Sequence, residues 1–291
     1  MPLVILDYRD EEGRALAQQV LSDLTSISRT RRQELIILGA QGGARLFFMF
    51  LFFSVKKKTQ TVNKMGSVVQ QRRVVLEGNI GAGKTSLGRL LEILAPDTFR
   101  FYPEPVEQWR LEGGAHVLDA FYQKLPGAGF LAQSLISQTL LLRDTALPLP
   151  PVVGVGLYER SLLSAQKCFL PTMLAAGLLS RAEAEVLNRG FAFNSEHWPR
   201  LVSPDQTVYV RCDPMVCWDR IEERAEVEQG QISLDYLLRL HQRHESWLGT
   251  AAGEVIVVDT TRADMLSLAQ TLVTQLSATP FPPSQIFPTE D

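Results

Sequence analysis

A glycine-rich stretch followed by a lysine and a threonine constrains this chain more than any other feature of its sequence. Residues 78–85 read GNIGAGKT and fit the spacing G-x-x-x-x-G-K-[ST]. The fixed positions are occupied by Gly78, Gly83, Lys84 and Thr85. A short apolar run precedes the stretch and a helical pattern follows it, which is the context of a loop whose N–H groups surround a phosphate. The sequence therefore predicts a nucleoside triphosphate site.

The motif gives several loop residues an expected chemical role. Lys84 is expected to contact the outer phosphates of ATP, and the hydroxyl of Thr85 is expected to bind Mg²⁺. The predicted nucleotide-binding residues of the loop are Gly78, Asn79, Ile80, Gly81, Ala82, Gly83, Lys84, Thr85 and Ser86. The alternative is a glycine-rich turn between a strand and a helix that carries an ordinary surface lysine. The complete motif in its strand and helix context favours the phosphate site.

Short apolar runs alternate with helical patterns along most of the chain. The runs predicted as strands are Val74–Glu77, Phe99–Val106, Val152–Tyr158, Thr207–Arg211 and Glu254–Asp259. The segments predicted as helices are Ser86–Leu94, Gly113–Lys124, Phe130–Thr145, Leu162–Ala176, Arg181–His197, Pro214–Glu226, Leu234–Leu248 and Met265–Leu276. This alternation predicts an α/β fold of the P-loop kinase type, a parallel sheet of about five strands covered by helices on both faces, with a helical lid. Ligands are expected at the edge where the strands end.

The distribution of charge divides the chain near Met65. Residues 1–64 carry ten Lys and Arg against six Asp and Glu, a net charge of +4, whereas the remainder carries 19 against 26, a net charge of −7. We therefore expect residues 1–64 to form an N-terminal extension that is weakly ordered or not native to the mature protein. A kinase domain is expected over residues 65–279, followed by a Pro-rich tail over residues 280–291. The intact mass of the native protein tests the first boundary.

Bulk properties of the chain argue against several classes of protein. A net charge of −3 over 291 residues gives no electrostatic reason to expect a nucleic acid partner. No membrane span is expected, because the apolar run Leu46–Val55 has ten residues whereas a spanning helix needs about 20. The three cysteines lack the spacing of a metal site or a disulfide framework. We expect them to be thiols in a reducing compartment, either the mitochondrion or the cytoplasm.

Charged side chains at the ends of two predicted strands indicate a transfer reaction at that edge of the sheet. Transfer of a phosphoryl group to a hydroxyl needs a carboxylate that accepts the hydroxyl proton and cations that face the developing negative charge. Glu104 is the candidate carboxylate. The candidate cations are Arg160, Arg220 and Arg224, the last two lying four residues apart on one predicted helix. Taken singly, Glu104 also fits a solvated acid at the end of a strand. The arginines Arg220 and Arg224 also fit partners in ion pairs on an exposed helix.

Further motifs at compatible spacings resemble the deoxyribonucleoside kinase family, the group that includes the mitochondrial thymidine kinase and the deoxycytidine and deoxyguanosine kinases. The resemblance extends from Val74 to about Asp259. It rests on EGNIGAGKT (77–85), EPVEQW (104–109), FY (121–122), QS (133–134), YERSLLSAQKCF (158–169), DRIEERAE (219–226) and LHQRHESWL (240–248). It implies transfer of the ATP γ-phosphate to the 5′-hydroxyl of a deoxynucleoside, as in nucleotide salvage, and a homodimer.

The resemblance also implies roles for individual residues. Glu104 is expected to accept the 5′-hydroxyl proton, Arg160 to hold that carboxylate and the transferred phosphate, and Glu159 to lie beside the Mg²⁺. The expected catalytic residues are Glu104, Arg160 and Lys84. The residues expected around the nucleoside are Glu104, Trp109, Tyr122, Gln133, Ile136, Leu140, Arg160, Ala165, Phe169 and Glu228.

Within that nucleoside set, the residue types indicate which part of the substrate each would contact. Gln133 is expected to form paired hydrogen bonds with the base. Trp109 and Phe169 are expected to enclose the ring, with plain core packing as the alternative for both. Tyr122 is expected to bind the sugar 3′-hydroxyl together with an acid after Arg224, for which Glu228 is the candidate.

Three positions bear on base choice and on the lid. Relatives that prefer purines or cytosine carry an Arg and an Asp where this chain has Leu140 and Ala165. The resulting uncharged wall predicts a pyrimidine preference, with thymidine and deoxycytidine both expected as substrates. Glu226 stands where relatives carry a third basic residue, and a carboxylate near a triphosphate opposes its binding. We therefore expect a weaker lid and lower turnover than in close relatives.

Two other functions fit part of the pattern. Another small-molecule P-loop kinase, such as a nucleoside monophosphate kinase, would need a basic pocket for the phosphate of its acceptor. A non-catalytic, kinase-like accessory subunit would have no use for the combination of Lys84, Thr85, Glu104 and Arg160. The presence of all four residues favours an active enzyme.

Overall fold

The structure is a computed structural model that describes residues 72–111, 116–146, 154–224, 232–249 and 255–278. The predicted N-terminal extension and the predicted Pro-rich tail lie outside these ranges. So do Glu226 and Glu228. The predictions made for these parts of the chain therefore stay predictions.

In the part of the chain that the structure describes, five parallel strands form the sheet, as the alternating pattern predicts. They are β1 (Arg72–Glu77), β2 (Phe99–Tyr102), β3 (Val155–Glu159), β4 (Gln206–Arg211) and β5 (Val255–Asp259). Their order across the sheet is β2-β3-β1-β4-β5, and every pairing is parallel. Strand β1 is central and pairs on both sides, so its residues are buried throughout. This position brings the end of β1, where the glycine-rich loop begins, to the middle of the carboxyl edge.

Helices flank the sheet and supply the rest of the core. In the described ranges they are α1 (Lys84–Leu94), α2 (Val117–Tyr122), α3 (Ala128–Ala146), α4 (Leu162–Ser164), α5 (Leu170–Ala175), α6 (Arg181–His197), α7 (Pro199–Val202), α8 (Pro214–Glu223), α9 (Leu234–Leu248) and α10 (Met265–Ala278). The bounds predicted for α6 and α9 are confirmed. Within these ranges, none of the helices is long and apolar enough to cross a membrane.

The second strand is shorter than predicted. The sequence predicted a strand over Phe99–Val106, but β2 ends at Tyr102, and a 3₁₀ helix spans Val106–Trp109. Two prolines explain the difference, because Pro103 and Pro105 have no N–H group to donate to a neighbouring strand. Glu104 therefore lies in the turn between the strand and the 3₁₀ helix.

The core has two parts. One cluster packs the apolar residues of the sheet against α1, α8, α9 and α10. The other is mainly helical and joins α2, α3, α5 and α6 around Trp109 and Phe121. The partly buried Tyr122 and Tyr236 contact both clusters. The space between the phosphate loop and the helical cluster is where the candidate site lies.

Two helical glycines provide a matched test of packing. A Cβ added to Gly88 in α1 would overlap the ring of Phe101, whereas one added to Gly190 in α6 would meet nothing within 4 Å. We expect Gly88→Ala to lower the free energy of unfolding, because overpacking costs about 1–3 kcal/mol and outweighs the better helix propensity of Ala. Gly190→Ala should raise it by about 0.5–1 kcal/mol. Urea unfolding measures both, and changes of the same sign would contradict the packing of α1 on β2.

Candidate active site

The glycine-rich loop runs from the end of β1 into α1. Gly81 and Gly83 have φ angles of 79° and 90°, which side chains with a Cβ rarely adopt. A Cβ on Gly81 would also lie 2.5 Å from the carbonyl oxygen of Cys217 in α8. No side chain in the described part of the protein caps α1 at Gly83. The N–H groups of the first helical turn and the positive end of the helix dipole are features that favour an anion.

Lys84 is buried beneath the loop that it helps to form. Its Nζ donates a hydrogen bond to the carbonyl oxygen of Asn79 at 2.8 Å. Burial, and then the charge of Arg160, lower the pKa of Lys84 to about 8. The Asn79 side chain fixes the loop in turn, since its amide donates to the Leu237 carbonyl and its oxygen accepts from the Ile80 N–H.

Thr85 and Glu159, which are both expected to bind the metal, form a hydrogen bond with each other. The Thr85 hydroxyl lies 2.8 and 3.0 Å from the two carboxylate oxygens of Glu159, at the end of β3. A hydroxyl and a carboxylate are hard oxygen ligands of the kind Mg²⁺ takes from a protein, with waters and phosphates completing its shell. In the described ranges, no three His, Cys, Asp or Glu side chains form a metal cluster. The hydroxyl of Thr85 and the carboxylate of Glu159 fit Mg²⁺ as two oxygen ligands.

Glu104 and Arg160 form an ion pair across the ends of β2 and β3. Arg160 Nε lies 3.1 and 3.2 Å from the two carboxylate oxygens, and the side chains are only 6% and 17% exposed for Arg160 and Glu104 respectively. Arg160 Nη1 also donates to the Gly78 carbonyl at 3.2 Å, and its guanidinium lies 4.7 Å from the centre of the Phe169 ring. Arg160 has a φ angle of 62°, a conformation that costs a residue with a Cβ about 1–2 kcal/mol.

The electrostatics of this pair suit proton transfer. Burial raises the pKa of Glu104 above its usual value, while Arg160 opposes that rise and Glu159 adds to it. Burial alone would lower the pKa of Arg160, but the carboxylates of Glu104, Glu77 and Glu159 outweigh it and raise that pKa. A carboxylate with a raised pKa is a stronger base than one in water.

One cavity of about 270 Å³ connects the phosphate loop to the helical cluster. Of the ten residues expected around the nucleoside, nine line it: Glu104, Trp109, Tyr122, Gln133, Ile136, Leu140, Arg160, Ala165 and Phe169. Six of the predicted nucleotide-binding residues also line it: Ile80, Gly81, Gly83, Lys84, Thr85 and Arg224. Glu159 completes the phosphate end. Charged groups thus gather at one end of the cavity and apolar side chains at the other.

The apolar end contains a polar side chain with an unused acceptor. Gln133 is 3% exposed, and none of the described groups bonds its Oε1 atom. An unpaired buried oxygen costs roughly 1–3 kcal/mol, so a ligand that donates to it would gain that amount. Trp109 is held in place because its Nε1 donates to the Thr139 hydroxyl at 2.9 Å. The ring is therefore fixed as a wall of the cavity.

Some predicted residues do not line the cavity, although Arg220 Nη1 lies 4.0 Å from the position that a Cβ on Gly83 would take. Arg220 donates to the Thr260 carbonyl at 2.7 Å and to the Cys212 sulfur at 3.3 Å, whereas Arg224 is exposed at the end of α8 and lines the cavity. The two arginines therefore do not point to one place, although four residues separate them. Ser86 is exposed on α1 and outside the cavity lining. Gly78 and the buried Ala82 support the loop through backbone contacts, with the Ala82 carbonyl accepting from Thr260.

The structure adds site residues that the sequence reasoning missed. The Ser161 hydroxyl donates to Glu77 at 2.5 Å and caps α4 by accepting from the Leu163 N–H. Burial raises the pKa of Glu77 to about 6. A serine two residues after a strand and directly before a helix was a usable signal for the cap. Tyr236, which also lines the cavity, had no local signal, because it contacts the Phe121 ring from a position 115 residues further along the chain.

A π-helical segment forms part of the wall of the cavity. Residues Ala165–Phe169 form this segment between α4 and α5, and its first and last residues both line the cavity. The sequence predicted one continuous helix over Leu162–Ala176. Single π turns inside helices occur often at functional sites, because the extra residue redirects side chains.

Comparison with known proteins shows which family the chain belongs to. A sequence model of the family described as deoxynucleoside kinase matches residues 74–277, more than half of the chain. Mitochondrial thymidine kinase 2 of Macaca fascicularis is 34% identical over 176 residues, which cover 60% of this chain and 63% of that protein. The human protein of the same name is 33% identical over the same lengths. Deoxycytidine kinase of Rattus norvegicus is 27% identical over 202 residues, 61% of this chain and 75% of that protein.

The match spans less than two thirds of the length of either thymidine kinase. The region that matches the family model includes the loop, the strand ends and the helices that line the cavity, since it begins inside β1 and ends inside α10. The chain belongs to the deoxynucleoside kinase family.

Proposed function

We propose that this protein transfers the γ-phosphate of ATP to the 5′-hydroxyl of a deoxynucleoside. The proposal is carried by the pairing of Glu104 with Arg160 inside a cavity that has Lys84 at one end and Gln133 at the other. A proton acceptor, a phosphate-binding loop and a side chain for recognition of the nucleobase thus line the same cavity. The family match supports the same activity.

The proton acceptor in the proposed reaction is Glu104. With Arg160 holding its carboxylate at 3.1 Å, Glu104 has a fixed direction toward the cavity and can accept the proton of a hydroxyl placed there. Arg160 would also face the transferred group, since the same guanidinium reaches the Gly78 carbonyl at the start of the loop. A positioned base contributes roughly 10²–10⁴-fold to such reactions.

The phosphate end would hold the donor nucleotide. Lys84 and the N–H groups of the first turn of α1 would bind its outer phosphates, with Arg224 at the mouth of the cavity. Thr85 and Glu159 would hold Mg²⁺, which neutralises phosphate charge when it is bound. Glu159 accepts from Thr85, so the pair is already oriented toward one point.

The apolar end would hold the nucleoside. The free acceptor of Gln133 fits the N–H of a pyrimidine edge, and the rings of Trp109 and Phe169 would enclose the base. Tyr122, with Glu228 from outside the described ranges, would bind the sugar. Ile136, Leu140 and Ala165 present no charge to the base, which supports the preference for thymidine and deoxycytidine.

A homodimer and the cellular compartment belong to the same proposal. Apolar side chains of α3 and α6 are exposed, among them Leu131, Leu142, Val186 and Phe193, and these two helices contact each other. Such a surface supports association of two copies through these helices. The similarity to mitochondrial thymidine kinase 2 supports the mitochondrion as the compartment, with the cytoplasm as the alternative.

Removal of the proposed base tests the mechanism directly. We expect Glu104→Gln to lower kcat by about 10²–10⁴-fold with a much smaller change in KM for the nucleoside, because the amide keeps the shape but accepts no proton. Glu107→Gln is the control, since that side chain is 89% exposed and forms a surface ion pair with Arg110. Steady-state kinetics with thymidine and deoxycytidine measure both. Unchanged turnover in Glu104→Gln would refute the assignment.

The phosphate cradle has its own test. Lys84→Ala should raise KM for ATP and lower kcat by roughly 10²-fold or more, because a buried cation facing the phosphates is lost. Arg89→Ala removes an exposed cation of the same helix and should leave both constants within a factor of about two. ATP titrations at saturating nucleoside measure the effect. Equal constants for Lys84→Ala and the wild type would exclude a triphosphate in this loop.

The base preference is tested by a panel of four deoxynucleosides. We expect kcat/KM for thymidine and deoxycytidine to exceed that for deoxyguanosine and deoxyadenosine by about tenfold or more, since polar edges of a purine would stay unpaired against the apolar wall. The measurement is the rate of ADP release with each nucleoside. Faster phosphorylation of either purine nucleoside would overturn the preference and leave the kinase proposal standing.

A further inference from the structure

Arg143, in the last turn of α3, contacts the backbone of both strand ends that carry the proposed catalytic pair. Its Nη1 atom donates to the carbonyls of Glu159 at 2.7 Å and Pro103 at 3.2 Å. Its Nη2 atom donates to the Arg160 carbonyl at 3.1 Å. The side chain is 8% exposed, and its bonds to Glu159 and Arg160 are partly buried, whereas the bond to Pro103 is exposed. One guanidinium therefore joins the residue before Glu104 to Arg160 itself.

The sheet cannot make this connection. The pairing between β2 and β3 ends at Tyr102 and Tyr158, and beyond these residues the two chains no longer pair with each other. Pro103 and Pro105 lack N–H groups, so the turn around Glu104 has few donors of its own. A planar guanidinium offers five donors in a fixed fork and can bond several carbonyls at once. Arg143 supplies the bonds that the sheet no longer provides.

Arg143 is itself held rigidly. Its Nε donates to Asp144 at 2.7 Å, and Asp144, whose side chain is 2% exposed, is also paired with Arg73. The guanidinium of Arg73 lies 4.0 Å from the centre of the Tyr158 ring, and that of Arg143 lies 5.5 Å from it. A buried charge held by a second buried charge has one preferred position. The direction of the Arg143 donors is therefore fixed by the end of α3.

We infer that Arg143 is a positioning residue for catalysis, holding the Glu104 turn and the Arg160 backbone at the separation that lets the two side chains pair. This inference rests on the proposed kinase function for its role in turnover. It also accounts for the positive φ angle of Arg160, whose N–H bonds the Leu76 carbonyl and whose carbonyl bonds Arg143. Both sides of the strained residue are thus fixed by hydrogen bonds.

The charge of Arg143 also acts on Glu104. Burial raises the pKa of Glu104, and the charged groups facing it are Arg160, Lys84 and Arg143, which lower it, and Glu159, which raises it. Loss of the Arg143 charge would therefore raise the pKa of Glu104 further. Since the base must be ionised to accept a proton, activity falls as the pH drops through that pKa. The acidic limb of the pH profile would move to higher pH.

Two substitutions separate geometry from charge. Arg143→Gln should lower kcat by about 10–100-fold, leave KM for the nucleoside within about threefold, and shift the acidic limb of kcat upward. Arg143→Lys keeps the charge but replaces the fork with a single nitrogen that cannot bond both strand ends. It should lower kcat while leaving the acidic limb in place. Full-length protein, thymidine, deoxycytidine and ATP are used throughout.

Arg73→Gln is the matched control, because it disturbs the same Asp144 and Tyr158 neighbours without touching the backbone of Glu104, Glu159 or Arg160. If Arg143 only stabilises the fold, both Gln variants should lose stability and share the same kinetic constants. If Arg143 positions the pair, only its variants should lose turnover, and only Arg143→Gln should shift the limb. Equal kcat values for Arg143→Gln and Arg73→Gln would overturn the inference.

A crystal structure of Arg143→Gln separates this inference from the proposed function. Separation of the Glu104 and Arg160 side chains beyond hydrogen-bonding distance is the expected result, and a pair retained at about 3 Å would overturn the inference. This readout does not depend on activity. Absence of phosphorylation by the wild type with all four deoxynucleosides would refute the proposed function alone.

Discussion

The buried ion pair between Glu104 and Arg160 is the interaction on which the arrangement of the site depends. Removing two charges from water costs several kcal/mol for each ion, and their attraction offsets this only when geometry is good and the remaining donors are bonded. The neighbouring contacts meet that requirement: Arg160 also bonds the Gly78 carbonyl and lies over the Phe169 ring. The pair is thus built into the junction of the phosphate loop, the sheet edge and the π segment.

The cavity separates two chemical environments that a kinase needs close together. At one end, Lys84, Arg160, Glu104 and Glu159 hold charges of both signs within reach of the first turn of α1. At the other, apolar side chains of α3 and the π segment surround Gln133, whose oxygen has no partner in the described part of the protein. The charged end suits phosphate and proton transfer. The apolar end suits a flat ring with one polar edge.

Much of the fold follows from local patterns in the sequence. Apolar runs and helical periodicity located the five strands and the main helices, because burial of one face imposes its period on the residues. The glycine motif located the phosphate loop, since few other residues allow the φ angles of Gly81 and Gly83. Motifs resembling the family located nine residues of the cavity. The shortened β2 strand was the main error, and the two prolines that cause it were visible in the sequence.

The sequence alone determined the succession of strands and helices along the chain, the chemistry of the glycine-rich loop and the residue types available at the sheet edge. Only the tertiary structure decided which charges meet. Arg220 and Arg224 share a helix, yet one bonds the Thr260 carbonyl and the other lines the cavity. Arg143 lies 40 residues from Pro103 and bonds it, and Tyr236 reaches the site from α9. Such contacts depend on how helices pack across the sheet, and periodicity within one segment carries no information about that packing.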